Sequence, residues 1–263
     1  MLQLRKSVSL ESLKLPFRQA LAAAAEIGAE AVEINARTML RPQELSRTGV
    51  RQIRKWLGDY SLDIAAVSFP TRRGLHVLQD LDKRLDGLKG AMTMANELGC
   101  RIVSNQIGKI PDESETESHG TMVAALTDLA AHSLKAGAWL AIRTGPDDGL
   151  RTSALLQRLP DGAIGVDFDP AELMLYGHSP SETLKPLSAM VSHFRARDAV
   201  RDLSLGRGVE VQLGRGSIDL PALLAQLEEH QYRGFITVER RDTEGNPKLE
   251  CAQAIEYLTN LFS

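Results

Sequence analysis

The 263-residue chain has only two cysteines, Cys100 and Cys251, outside any Cys-x-x-Cys or His-rich spacing. That excludes a disulfide framework and a cysteine-based zinc module. It reads as two reduced thiols in a cytoplasmic protein. No apolar run approaches the ~18 residues of a membrane span. The opening Met-Leu-Gln-Leu-Arg-Lys-Ser carries two positive charges with no apolar stretch behind them, so neither an export signal nor a membrane partner is expected. Charge of one sign is missing too. The 31 Lys and Arg stand against 34 Asp and Glu, for a net −3. A chain built to grip a nucleic-acid backbone carries a basic surplus, so no nucleic-acid partner is expected. The 21 Gly and 11 Pro are too few for a collagenous or low-complexity chain. Histidine is sparse: His76, His119, His132, His178, His193 and His230 form no ligand series.

What is present is alternation. Short apolar or β-branched runs at 31–35, 64–69, 101–105, 138–143, 163–167, 190–195 and 234–239 read as buried strands. Ala- and Leu-rich stretches with helical spacing lie between them. Gly28, Gly99 and Gly137 each close a helical run, where glycine takes the left-handed cap without penalty. Asp219 is an expected N-cap, with Pro221 in the first turn. With a further strand near 4–10, eight strand-helix units fill 1–263. Such alternation means a parallel sheet. A single domain of this length fits a closed (β/α)8 TIM barrel, an α/β fold. The rival is a doubly wound open sheet, which usually carries a glycine fingerprint after its first strand. Gly206-Arg-Gly208 and Gly214-Arg-Gly216 come late and follow no clear strand, so a dinucleotide site is not expected.

A closed β/α barrel carries its site at the C-terminal ends of its strands. There the sequence places Glu33 and Asn35, then Asn105 and Gln106, then Arg143. Asp167 and Asp169 end the sixth strand, and His193, Arg195, Arg197 and Asp198 the seventh. Glu239, Arg240 and Arg241 end the last. Singly, each has an ordinary structural role. Glu33 fits a buried ion pair, His193 a satisfied core histidine, and Asp169, before a proline, a helix cap. Jointly, carboxylates and guanidiniums at consecutive strand ends converge on one mouth.

These residues lie in motifs similar to those of the xylose isomerase-like barrel superfamily. That superfamily includes sugar and sugar-phosphate isomerases and epimerases of carbohydrate metabolism, inosose dehydratases, and repair enzymes of the endonuclease IV type. The resemblance runs nearly end to end. It rests on Ala-Glu-Ile-Gly-Ala-Glu-Ala-Val-Glu at 25–33 and Ile-Gly-Val-Asp-Phe-Asp-Pro at 164–170. His-Phe-Arg-Ala-Arg-Asp-Ala at 193–199, Leu-Gly-Arg-Gly-Ser-Ile-Asp at 213–219 and Tyr-Arg-Gly-Phe-Ile-Thr-Val-Glu at 232–239 complete it.

The resemblance implies a divalent metal held by Glu, Asp, His and Glu after strands five to eight, with the two glutamates moving protons on a sugar carbon. Asp169 and Glu239 match two of these ligands, which leaves Glu239 as the one catalytic residue implied. The other two positions hold Arg143, in Ala-Ile-Arg-Thr-Gly, and Arg195, in His-Phe-Arg. A substrate-side histidine is replaced by Glu172, and a substrate-side arginine is matched by Arg201. Arginine stays protonated and offers no lone pair, so it cannot ligate a cation. The expectation is a lost metal site and no cofactor, with the arginines pairing to Asp169 and Glu239.

Three functions compete. The first is metal-independent binding, or altered chemistry, on a small anionic sugar or sugar acid, with Arg143, Asp169, Arg195, Arg197, Arg201 and Glu239 around the ligand. The second is an active isomerase or epimerase using Glu239 with a shifted site built from His193, Asp167 and Asp169. The third is a repair nuclease, which needs a His-rich multi-metal cluster that the histidines do not provide. Oligomeric state stays open.

Overall fold

A computed structural model of the chain describes residues 5–160, 162–202, 207–243 and 245–261. The chain order is β1 (Arg5–Ser9), α1 (Phe17–Glu26), β2 (Ala31–Asn35), α2 (Arg47–Asp59), β3 (Asp63–Ser68), α3 (Leu81–Glu97) and β4 (Ile102–Asn105). Then come α4 (Thr116–Ala136), β5 (Trp139–Arg143), α5 (Gly149–Leu156), β6 (Ile164–Phe168), α6 (Pro170–Leu175), α7 (Pro180–Leu184) and β7 (Val191–Ala196). After them follow β8 (Asp198–Asp202), β9 (Arg207–Val211), α8 (Leu220–Glu229), β10 (Phe235–Val238) and α9 (Pro247–Asn260). Strands β1 to β7 and β10 close a parallel barrel, while β8 and β9 form a separate two-stranded sheet. This is the (β/α)8 barrel expected from the alternation; Leu4, in the expected first strand, lies outside the described residues. No described helix is long and apolar enough to cross a membrane.

The strands read as near-continuous apolar runs because both their faces are covered. One face fills the barrel and the other meets the helices. Val32, Ile34, Val67, Val103, Leu140 and Val166 are all fully buried in one hydrophobic cluster with the inner faces of the helices. Ala31, Ala65 and Phe235 form a second, small cluster, and the Arg5 guanidinium lies 3.8 Å from the Phe235 ring centroid.

Local chemistry sets the element ends as the sequence implies. Gly28, Gly99 and Gly137 all take positive φ. The Asp219 carboxylate accepts from Ala222 N at 3.0 Å, capping α8. Asp148 caps α5 and Asn246 caps α9 in the same way.

One unit departs from the pattern. After β7 the chain makes the β8–β9 hairpin, packed on α6, before it enters a helix. The second glycine pair follows this hairpin and serves it. The Asp198 carboxylate accepts from Gly214 N at 3.0 Å, Gly216 N at 2.8 Å, Ala199 N at 2.9 Å and Ile218 N at 3.3 Å. These backbone amides therefore cradle the chain's own anion rather than a phosphate. A Cβ on Gly216 would stand 1.9 Å from Asp198 Oδ1, so only glycine fits there. Gly206 of the first pair lies outside the described residues.

Hydrogen bonds to a buried charge carry about 1.5–3 kcal/mol each. Asp198→Ala strands several amides at once and is expected to lower unfolding stability by about 3 kcal/mol in urea titration. A change below about 0.5 kcal/mol would show that water replaces the carboxylate at no net loss.

Candidate functional site at the barrel mouth

The ladder register sets the site. Arg143 is opposite Asp167, Asp167 opposite His193, and Thr237 opposite Arg195. The charged residues of neighbouring strands therefore reach the same depth. Two layers result.

The deeper layer is a buried hydrogen-bonded chain. Asp167 Oδ1 pairs with His193 Nδ1 at 2.8 Å, and His193 Nε2 meets Thr237 Oγ1 at 2.7 Å. Thr237 in turn bonds the hydroxyl of Ser7, and Ser104 donates to Asp167. Both ring nitrogens of His193 are thus engaged and the residue has no exposure, so it is a satisfied core histidine.

Above it lies a lattice of guanidiniums and carboxylates. Arg195 is wholly buried. It bonds Glu33 Oε1 at 3.2 Å and Oε2 at 2.5 Å, Asp167 Oδ2 at 2.8 Å and Glu239 Oε2 at 2.5 Å. Arg143 donates to Asp169 Oδ2 through Nε at 2.9 Å and Nη2 at 2.5 Å, and through Nη2 to Glu239 Oε2 at 2.7 Å. Arg197 reaches Asp169 Oδ2 at 2.6 Å, Glu172 Oε2 at 3.1 Å and Glu210 Oε2 at 2.7 Å. Arg241 closes the rim, with Nε 2.9 Å from Glu239 Oε1 and Nη1 2.9 Å from Glu172 Oε2. Arg240 turns away to Glu250, at 2.9 Å, and Glu210, at 3.2 Å.

Burial raises the carboxyl pKa values here, but the guanidiniums outweigh it. Arg195 above all, with His193 and Arg143, holds Asp167 far below the usual carboxylate range. Arg197 and Arg143 hold Asp169 below its ordinary value. Arg143, Arg195, Arg197 and Arg241 hold Glu239 well below its own. Glu239 is therefore a fixed anion at neutral pH, with both oxygens engaged by arginines, and a weak base.

This donor set does not suit a divalent cation. Asp169 Oδ1 caps Glu172 N at 3.0 Å, its Oδ2 accepts from two arginines, and both Glu239 oxygens are occupied. Arginine nitrogens stand where the remaining ligands would be. The shifted set of His193 with Asp167, Asp169 and Glu239 does not assemble, because both His193 nitrogens are engaged within the barrel.

Over the lattice opens a cavity of about 390 Å³, lined by Arg143, Glu239, Glu33, Asn35, Asn105 and Gln106 from the strand ends. Glu11, Lys14, Arg240 and Arg241 are among the other residues of its wall. Of the expected ligand-contacting residues, Arg143 and Glu239 line this cavity, while Asp169, Arg195 and Arg197 are buried and do not. Arg201 is not brought to the mouth. It sits exposed on β8 and donates to Gly177 O at 2.9 Å, because the hairpin carries that stretch away from the barrel.

Two cavity groups have unused capacity. Among the described residues nothing donates to Asn105 Oδ1, while its Nδ2 is committed to Phe69 O at 2.6 Å. Arg143 Nη1 likewise has no acceptor among them, its other two nitrogens being paired. Sequence reasoning missed Lys14 and Glu11. Lys14 holds a left-handed backbone, φ 52°, at the end of the turn after β1, and its exposed amine has a single weak contact, Arg241 O at 3.4 Å. Its place in the cavity wall depends on that backbone angle, of which the sequence carries no sign.

Residues 21–261 match the model of the xylose isomerase-like TIM barrel family, and the chain belongs to that family. A xylose isomerase domain protein from Planctomyces limnophilus superposes with a TM-score of 0.87 at 24% identity, over 98% of this chain and 97% of that one. A D-allulose 3-epimerase from a Methylomonas species, in complex with D-allulose, gives 0.78 at 17% identity, over 99% and 98%. A xylose isomerase-like TIM barrel protein from Mycobacterium smegmatis, in complex with magnesium, gives 0.75 at 17% identity, over 93% and 87%. These likenesses establish the fold. No curated protein matches in sequence.

The lattice links stability to pH. Carboxyls depressed by folding stabilise the native state above their unfolded pKa values, roughly 4, and that contribution is lost as pH falls toward the folded values. Arg195→Met leaves three buried carboxylates short of one cation and is expected to cost about 3–5 kcal/mol at pH 7. The difference from wild type should shrink below about pH 4, where Asp167 and Glu239, no longer held down by Arg195, begin to protonate in the variant. Urea denaturation of both proteins from pH 7 to pH 3 reads this. A constant difference would show that Arg195 acts by packing alone.

Proposed function

We propose that the barrel mouth binds a small anionic sugar or sugar acid without a divalent ion. The observation that carries this reading is the Arg143 guanidinium. It is held rigidly by Asp169 and Glu239, with one nitrogen left unpaired at a cavity sized for a single sugar ring. A guanidinium fixed by two carboxylates is pre-organised to receive a carboxylate or phosphate oxygen. Lys14 adds a mobile cation at the same cavity. Asn105, Gln106, Asn35 and the hydroxyls of Ser9, Ser12 and Ser68 in the cavity wall offer partners for sugar hydroxyls, in keeping with a few polar groups fixing orientation. The family relation and the D-allulose complex of the Methylomonas epimerase support a carbohydrate as the ligand.

The two-base proton transfer of an isomerase is disfavoured here. Glu239 is held ionised by four arginines, Arg143, Arg195, Arg197 and Arg241, and the position of its partner base is taken by Arg143, which neither accepts a proton nor ligates a metal. Glu239 serves instead to hold Arg143 and Arg195 in place. Any chemistry at this mouth rests on a fixed guanidinium as electrophile, which stabilises negative charge as it develops on a bound oxygen.

Calorimetry with glucose and glucuronate tests the reading. Glucuronate is expected to bind at least tenfold more tightly. That preference should fall in Lys14→Ala and weaken as salt is raised past a Debye length of ~8 Å. A chelator should leave both affinities unchanged. Equal affinity for the two sugars, or binding that needs added magnesium or manganese, overturns it.

A further inference from the structure

Beside the mouth, between α6 and the β8–β9 hairpin, lies a second cavity of about 470 Å³. Its floor is Glu172, Arg197 and Glu210, and Leu175, Tyr176 and Val209 give it an apolar wall. Tyr176 is 56% exposed and Val209 39%, and few other large apolar side chains among the described residues are left so open. An apolar wall over a polar floor suits a ligand that buries one apolar face while its polar atoms are met.

The two cavities share one wall. Arg241 lines both. Its Nε reaches Glu239 on the mouth side and its Nη1 reaches Glu172 on the hairpin side, each at 2.9 Å. Gln106, from the mouth, meets Glu172 at 3.4 Å in the same partition. The Arg241 backbone amide is fixed to Glu210 Oε1 at 3.1 Å, so a swing of the side chain opens the partition without moving the chain. That side chain is 38% exposed. An ion pair with one partner so open to water is weak and rearranges readily. Either cavity alone is at the small end of the range for ligand sites, and the joined space reaches its upper part.

We infer that the substrate has two parts: a sugar ring held in the mouth, and an aromatic or apolar substituent seated against Tyr176 and Val209, with Arg241 between them. The ligand class is therefore an aryl glycoside of a sugar acid, its carboxylate left free, and not a free monosaccharide. The inference rests on the mouth being a sugar site and adds the second half of the ligand. A face of Tyr176 and the methyls of Val209 suit a flat ring, while the guanidiniums of Arg197 and Arg241 can donate to the oxygen that joins it to the sugar.

Four probes separate the two readings: glucose, glucuronate, phenyl β-D-glucoside and phenyl β-D-glucuronide, titrated calorimetrically into the full chain. Each phenyl compound is expected to bind about tenfold more tightly than its parent sugar. That increment should disappear in Tyr176→Ala and in Val209→Asp, both surface changes, while the parent sugars keep their affinities. A phenyl increment near unity, or one that survives both substitutions, overturns the second cavity. Loss of the acid preference with the phenyl increment intact overturns only the charge reading of the mouth. Absence of binding by all four overturns both.

Discussion

Everything at the barrel mouth depends on Glu239 accepting from two arginines on different strands. Through its Oε2 it joins Arg143 of β5 to Arg195 of β7, and through Oε1 it takes Arg241 at the rim. Each guanidinium then reaches outward to its own carboxylates: Asp169 from Arg143, Glu33 and Asp167 from Arg195. Four barrel strands and the loop after β10 are thereby tied in one electrostatic unit. Desolvating so many charges offsets much of their mutual attraction, so the lattice adds little net stability. Its effect is positional. It fixes the place of the Arg143 guanidinium, one nitrogen of which has no acceptor among the described residues, in the wall of the cavity.

Much of this was legible in the sequence, for identifiable reasons. Strands covered on both faces must be apolar throughout, and the Ala-rich runs between them show helical spacing, so the eightfold alternation stands out. The positions of Gly28, Gly99, Gly137 and Asp219 announced the helix ends because cap chemistry is local. The pairing of Arg143 with Asp169 and Glu239 followed from charge, once strand ends were placed at one mouth. The structural roles assigned to Glu33, His193 and Asp169 taken one at a time are also found: ion pair, satisfied histidine and helix cap.

What the sequence concealed is non-local. The β8–β9 hairpin interrupts the alternation with two short strands whose pairing is set by their packing on α6, and it carries Arg201 away from the mouth despite the matching motif. Glu210, on that hairpin, returns to pair with Arg197 and Arg240 from thirteen residues or more along the chain. Lys14 has no pattern to mark it, because its place depends on a left-handed backbone angle in a single turn. The role of the glycines at 214 and 216, whose amides enclose the Asp198 carboxylate, is equally hidden, because that contact spans sixteen residues or more.

The shared position of Glu239 also bears on the history such a site can have. Consider the lattice changed one residue at a time toward a metal-binding set. Arg143→Glu alone would crowd a third carboxylate against Asp169 and Glu239 while removing a cation they both use. Arg195→His alone would leave Glu33, Asp167 and Glu239 without their common guanidinium. Each single step leaves buried carboxylates short of a cation that several of them share. A change at the centre therefore unsettles several buried carboxylates at once, whereas a change at the rim, where Arg241 is partly open to water, is met in part by solvent.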